Sequence, residues 1–241
     1  MIPRYFCPFP LHPGAVVALP DDAAHHALRV LRIAPGDPAL LFDGRGGQWT
    51  AALQPAGKQV LATLDAFDES GIESPLAITL AQCLPSGDKM DLVVQKAVEL
   101  GVTRIVPVIA RRSVVRLSGE RMERRLAHWR AIAIAATEQC GRSRLAEVAD
   151  IVDLPQYLAQ AAAQDCKRWV CLPDAPTRLR DADPGPVVAL LVGPESGFEG
   201  GEIRAARAAG FAPLGLGPRV LRTETAGLAA LAGLQSAWGD V

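Results

Sequence analysis

Val187-Val188-Ala189-Leu190-Leu191-Val192, followed at once by Gly193-Pro194-Glu195-Ser196-Gly197-Phe198, decides the fold. A strand that is apolar at every position needs cover on both faces, and helices supply that cover in a mostly parallel α/β sheet. The neighbouring periodicities agree. Strands are predicted over 76–82, 104–109 and 168–172, with helices over 89–100, 120–139 and 154–163. Beyond the quoted stretch come a helix over 199–209, a strand over 213–216 and a helix over 223–238.

The first part of the chain reads differently. Asp21 and Asp22 are candidate N-caps for a helix carrying Ala24, Leu28 and Leu31 at helical spacing, and Pro35-Gly36 ends it. Strands over 39–42, 49–53 and 60–64 follow, separated by Asp43-Gly44-Arg45-Gly46-Gly47 and Pro55-Ala56-Gly57. This predicts a compact β-barrel or sandwich. Residues 68–75 are polar, acidic and turn-forming, which divides the chain into domains 1–72 and 73–241.

No window approaches the roughly 20 apolar residues of a membrane span, and the start lacks the apolar run of a secretory signal. The expected location is therefore cytoplasmic, with no membrane partner. Five cysteines without a C-x-x-C pair give no zinc signature, and no metal is expected. A net charge of −1 counts against nucleic-acid binding, but the average hides an asymmetry. Between Arg104 and Arg144 stand ten arginines and three acids, a local excess of +7. That segment is either a phosphate-facing surface or a solvated helix face.

Two Gly/Pro-rich segments follow predicted strands, where ligands bind in open α/β sheets. The first is Gly193 to Phe198. In the second, Gly215-Leu216-Gly217-Pro218-Arg219-Val220 imitates a dinucleotide fingerprint, but its third glycine would fall at Val220 and too little chain follows for a βαβ unit. A nicotinamide-dependent oxidoreductase, which would bind NADH, is disfavoured on that ground. No P-loop occurs. Next comes Leu221-Arg222-Thr223-Glu224-Thr225-Ala226, in which Thr223 or Thr225 can cap the last helix.

The pair L-V-G-P-E-S-G-F-E-G-G-E-I at 191–203 and L-G-P-R-V-L-R-T-E-T-A at 216–226 resembles the C-terminal motifs of the RsmE family. These SPOUT-class enzymes methylate N3 of a uridine in 16S ribosomal RNA. Q-K-A-V-E-L-G-V at 95–102, A-T-E-Q-C-G-R at 136–142 and H-A-L-R-V-L-R at 26–32 resemble further family segments, so the likeness spans the chain in order. Ser196 departs from the family's G-P-E-G-G. If that position needs φ above zero, the serine carries strain of about 1 kcal/mol. A relative that keeps the fold, binds RNA in ribosome assembly and has lost catalysis is the alternative.

The resemblance implies a SPOUT-type trefoil-knotted sheet with helices on both faces, a PUA-like RNA-binding barrel over 1–72, and a homodimer. It implies S-adenosyl-L-methionine held by Leu172, Val192, Gly193, Pro194, Glu195, Gly197, Leu216, Gly217, Val220, Leu221, Arg222, Thr223 and Ala226. The expected partner is 16S ribosomal RNA or the small ribosomal subunit. Uridine N3 becomes nucleophilic only on losing its proton, so Glu224 and Glu195 are candidate bases and Arg222 the candidate anion stabiliser. Arg111, Arg112, Arg142 and Arg144 are expected on RNA phosphates, with His26, Arg29 and Arg32 as a second contact. Gln95, Lys96, Glu99, Glu138 and Gln139 are expected in knot packing or the dimer contact.

Overall fold

The computed structural model describes residues 2–69, 71–113, 119–183 and 185–241. Arg116 of the basic segment lies outside them. The chain forms two compact units, Met1–Glu73 with Thr137–Leu145, and Ser74–Ala136 with Ala146–Val241. The first break falls one residue from the expected boundary. That 137–145 groups with the first unit carried no sequence signal.

In the first unit, β1 (Arg4–Phe6) and β2 (Val16–Ala18) precede α1 (Asp21–His25), and β3 (Pro38–Phe42), β4 (Gln48–Ala56) and β5 (Gln59–Asp68) follow. The five strands pair in the order β1-β3-β4-β5-β2. Along β5, buried Val60, Ala62 and Leu64 alternate with more exposed residues, as one covered face requires. Helix α1 passes into a π-helical turn, His26–Leu31, which ends at Arg32 with a left-handed φ of 53°. Asp21 and Asp22 occupy the first turn rather than the cap; Pro20 stands there without a side-chain bond. The expected apolar stripe shifts as well. Ala24 and Ala27 are buried while Leu31 is 44% exposed, because the π turn advances each residue by a smaller angle than an α-helix does.

Segment 137–145 is held into this unit by directed bonds. Glu138 Oε1 accepts from the Phe6 amide at 2.8 Å, and the Leu145 amide donates to Gly44 O at 3.1 Å. Arg142 donates twice to Glu73 Oε2, at 2.9 and 2.8 Å. Burial pushes the Glu138 carboxyl up, against the Phe6 amide and Arg4, which pull it down. Glu138 is thus a structural anchor within its own unit.

The second unit runs β6 (Ala77–Cys83), α2 (Lys89–Glu99), β7 (Arg104–Ile109), α3 (Glu120–Cys140, its last turn in the first unit), β8 (Glu147–Val148), β9 (Val152–Asp153) and α4 (Leu154–Ala162). It continues with β10 (Lys167–Cys171), β11 (Val187–Val192), α5 (Gly200–Ala208), β12 (Ala212–Leu214) and α6 (Thr223–Trp238). Its sheet has the order β12-β10-β11-β6-β7-β8, with β9 also on β7, and every pairing is parallel. Residues 188–192 of central β11 are all buried, as a doubly covered strand must be. Helix α6 packs on β6, β11 and α2. It comes close through Gly227, where an added Cβ would stand 3.0 Å from Gln82 Oε1 and 3.2 Å from Leu80.

Candidate active site

Parallel pairing sends the loops after β6, β10, β11 and β12 to the same carboxyl end of the sheet, and there they line a cavity of about 390 Å³. All thirteen residues expected around the cofactor line it. Phe198 and Arg219, within the two expected loops, line it too, and so do Cys171, Pro173 and Lys89, which lie outside them. Lys89 carried one usable signal, its position just after β6 in the turn-rich Pro85-Ser86-Gly87-Asp88. The walls are mainly apolar, with a few convergent polar groups, as small-ligand sites require.

Thr223 ties three elements together. Its hydroxyl donates to Gly193 O at 2.5 Å and accepts from Gln82 Nε2 at 2.8 Å, so the end of β11, the start of α6 and the end of β6 share one buried junction. That role replaces the expected capping role. Arg222 is the N-cap residue of α6, and no side chain caps the helix. Gly193 is required for another reason: an added Cβ would stand 2.9 Å from the Phe198 ring.

Loop 193–199 is heavily tethered. Glu195 Oε1 accepts from the Ser86 amide at 2.9 Å, the Ser86 hydroxyl at 2.6 Å and Lys89 Nζ at 3.0 Å. Partial burial pushes the Glu195 carboxyl up, but these bonds outweigh it and hold it at about 2. Ser196 donates to Arg112 O at 3.1 Å, and Arg112 Nη1 returns a bond to Ser196 O at 3.3 Å. Ser196 has no positive φ; Gly197 takes that conformation at +71°. The strain expected at Ser196 is therefore absent, and its side chain does not line the cavity.

The two candidate bases sit in different surroundings. Glu195 carries three donors on one oxygen, which hold its carboxyl at about 2 and favour the ionised form. Glu224 does not line the cavity; its Oε1 lies 3.7 Å from Lys89 Nζ, and its Oε2 is buried without a partner. Arg222 does line it, exposed, and its guanidinium has no hydrogen bond or ion pair to a described residue, while its carbonyl accepts from the Thr225 and Ala226 amides at 3.0 and 2.8 Å.

The residues expected on RNA separate into the two units. His26, Arg29, Arg32 and Arg144 are exposed in the first, although the π turn breaks the common face expected for the helical three. Arg142 is buried at 4% exposure and committed to Glu73, so it is no phosphate contact. Arg111 and Arg112 are exposed in the second unit, 3.7 and 3.8 Å from Glu199. Part of the +7 excess is neutralised locally, since Arg104, Arg125 and Arg130 pair with Glu147, Asp88 and Asp150. Among the described residues no cluster suits a metal ion, and no helix is long and apolar enough to cross a membrane.

Comparison with known proteins places this cavity in a family. The model of an RNA methyltransferase domain matches residues 72–235, and that of an RNA methyltransferase PUA domain matches residues 19–64. A ribosomal RNA small subunit methyltransferase E from Synechocystis is 33% identical over 90% of this chain and 72% of its own length. A crystal structure of the same-named protein from Neisseria gonorrhoeae, bound to S-adenosyl methionine, is 40% identical with a TM-score of 0.92, covering 100% of this chain and 99% of that one. A Legionella pneumophila protein, solved in complex with the bound cofactor SAM, is 38% identical with a TM-score of 0.94, over 100% of both chains. With its parallel sheet, its N-terminal unit and the two motif loops meeting in one cavity, the chain belongs to the ribosomal RNA small subunit methyltransferase E family.

Proposed function

We propose that this chain transfers a methyl group from S-adenosyl-L-methionine to N3 of a uridine in 16S ribosomal RNA. The observation that carries the reading is the single cavity formed by both motif loops, with the free Arg222 guanidinium at its edge. When bound, the cofactor supplies a methyl group on a cationic sulfur, which needs no metal to activate it. The apolar side chains Leu172, Val192, Leu216, Val220, Leu221 and Ala226 would hold its adenosine, and the backbone of Gly193, Pro194, Gly197 and Gly217 would approach it closely. Arg222 would face the charge that spreads from N3 onto the flanking carbonyls.

Uridine N3 lies on the pairing edge, so the base must be unpaired or extruded before it can enter. Arg111, Arg112, Arg144, His26, Arg29 and Arg32 remain the proposed phosphate contacts. The PUA family match over 19–64 supports an RNA role for the first unit. The trefoil knot, the homodimer and a cytoplasmic location belong to the same reading. The non-catalytic alternative loses its footing, because Ser196 has no positive φ and does not line the cavity.

The test is transfer of a labelled methyl group to small-subunit particles, followed by nucleoside analysis. Label on N3-methyluridine is expected. Label on cytidine or on a ribose hydroxyl would overturn the uridine assignment while leaving the methyltransferase class intact.

A further inference from the structure

Beside the two candidate carboxylates the cavity holds a cation that the motifs did not announce. Lys89 is the first residue of α2, and its side chain lines the wall beside Glu195 and Arg222. An ammonium group has three donors. One is spent on Glu195 Oε1 at 3.0 Å; Glu224 Oε1, at 3.7 Å, is beyond hydrogen-bond length. With the side chain 31% exposed, donors remain for a ligand in the cavity.

We propose that Lys89 is a further catalytic residue, whose ammonium donates to a carbonyl oxygen of the acceptor base and stabilises the anion left when the ring nitrogen loses its proton. This rests on the uridine N3 reading. In that step the N3–H bond breaks and its electron pair stays on the ring, shared among N3 and the two flanking carbonyl oxygens. The proton passes to solvent water. The pair on N3 is then available to the incoming methyl group, and no protein base is needed.

Three features of the site support this assignment. The ammonium is anchored before substrate arrives, because Ser86 fixes Glu195 through both its amide and its hydroxyl, and Glu195 in turn fixes Lys89. Donors aimed in advance at a place where charge will develop need no reorganisation during reaction. Two carboxylates flank the ammonium, so it can share a cavity with a cationic methyl donor without strong repulsion. Finally, N3 has a carbonyl on each side, and the cavity offers cations on separate elements, Lys89 on α2 and Arg222 at the start of α6.

The test compares wild type with Lys89→Met, Lys89→Gln and Lys89→Arg in single-turnover methyl transfer to small-subunit particles, from neutral to alkaline pH. Cofactor binding is measured in parallel by calorimetry. Lys89→Met should bind the cofactor yet lose about 100-fold in rate at neutral pH. The deficit should shrink as pH rises, because alkali ionises the base without help from the ammonium. Lys89→Arg should keep most of the rate. If Lys89→Met fails to bind cofactor, Lys89→Gln carries the same comparison. A deficit equal at every pH would show a merely structural role, and no deficit would remove Lys89 from the chemistry; either overturns the proposal. Failure of the parent reading looks different, since the wild-type product would then not be N3-methyluridine.

Discussion

Loop 193–199 is bonded to four other parts of its unit, through Ser86, Lys89, Arg112 and Thr223, whereas residues 216–221 make no hydrogen bond to any described residue. Both line one cavity. In the first loop the polar side chains face neighbouring protein. In the second, Arg219 has no partner and Val220 is 80% exposed. Apparently similar glycine-rich loops therefore divide the work: one is a frame of fixed shape, and the other offers unfilled groups to ligands.

The strongest way to break this contrast is at Thr223, where the frame meets α6. Thr223→Val keeps the shape but strands Gly193 O and removes the acceptor of Gln82 Nε2. It should cost roughly 1–3 kcal/mol, read as a lower denaturant midpoint, with Thr223→Ser restoring most of the loss. An unchanged midpoint would mean that the junction does not hold the frame.

A smaller effect is expected at Glu195. Its carboxyl lies at about 2 rather than 4.5, so its ionised form favours the folded chain. A depressed folded value means that this contribution is complete above pH 4.5 and disappears as pH falls toward 2. Glu195→Gln should lose roughly 0.2–1 kcal/mol at neutral pH, the scale of a partly exposed pair. Across that acid window its midpoints should converge with those of the wild type. Parallel curves would show that the ionisation of Glu195 contributes nothing to stability.

What was legible in the sequence follows the range of the forces involved. Strand β7 and helix α6 have the ends that the sequence reading expected, because apolar runs and periodicity are local. Strands β1, β2, β8 and β9, of two or three residues, are too short to show a period. The π turn was hidden because the same apolar spacing fits an α-helix. The cavity lining was readable, since both loops carry Gly/Pro signals after strands. Its polar wiring was not: Lys89 meets Glu195 across 106 residues, and Gln82 meets Thr223 across 141. Arg142 was misread for the same reason, its partner Glu73 being 69 residues away.

An effect of similar size belongs to Ser196, and it sharpens the comparison most. A residue in the frame should tolerate change so long as the frame's bonds survive. Ser196→Gly restores the family's G-P-E-G-G pattern and removes one hydroxyl bond to Arg112 O, leaving the return bond from Arg112 to the Ser196 carbonyl possible. No positive φ is relieved, so the glycine gains nothing conformationally and adds freedom to the unfolded chain. Stability should therefore fall by about 0.5–1 kcal/mol, and cofactor affinity measured by calorimetry should stay the same, because the side chain lies outside the cavity. A gain in affinity would mean that loop 193–199 adjusts on binding, and the division between a fixed and an open loop would fail.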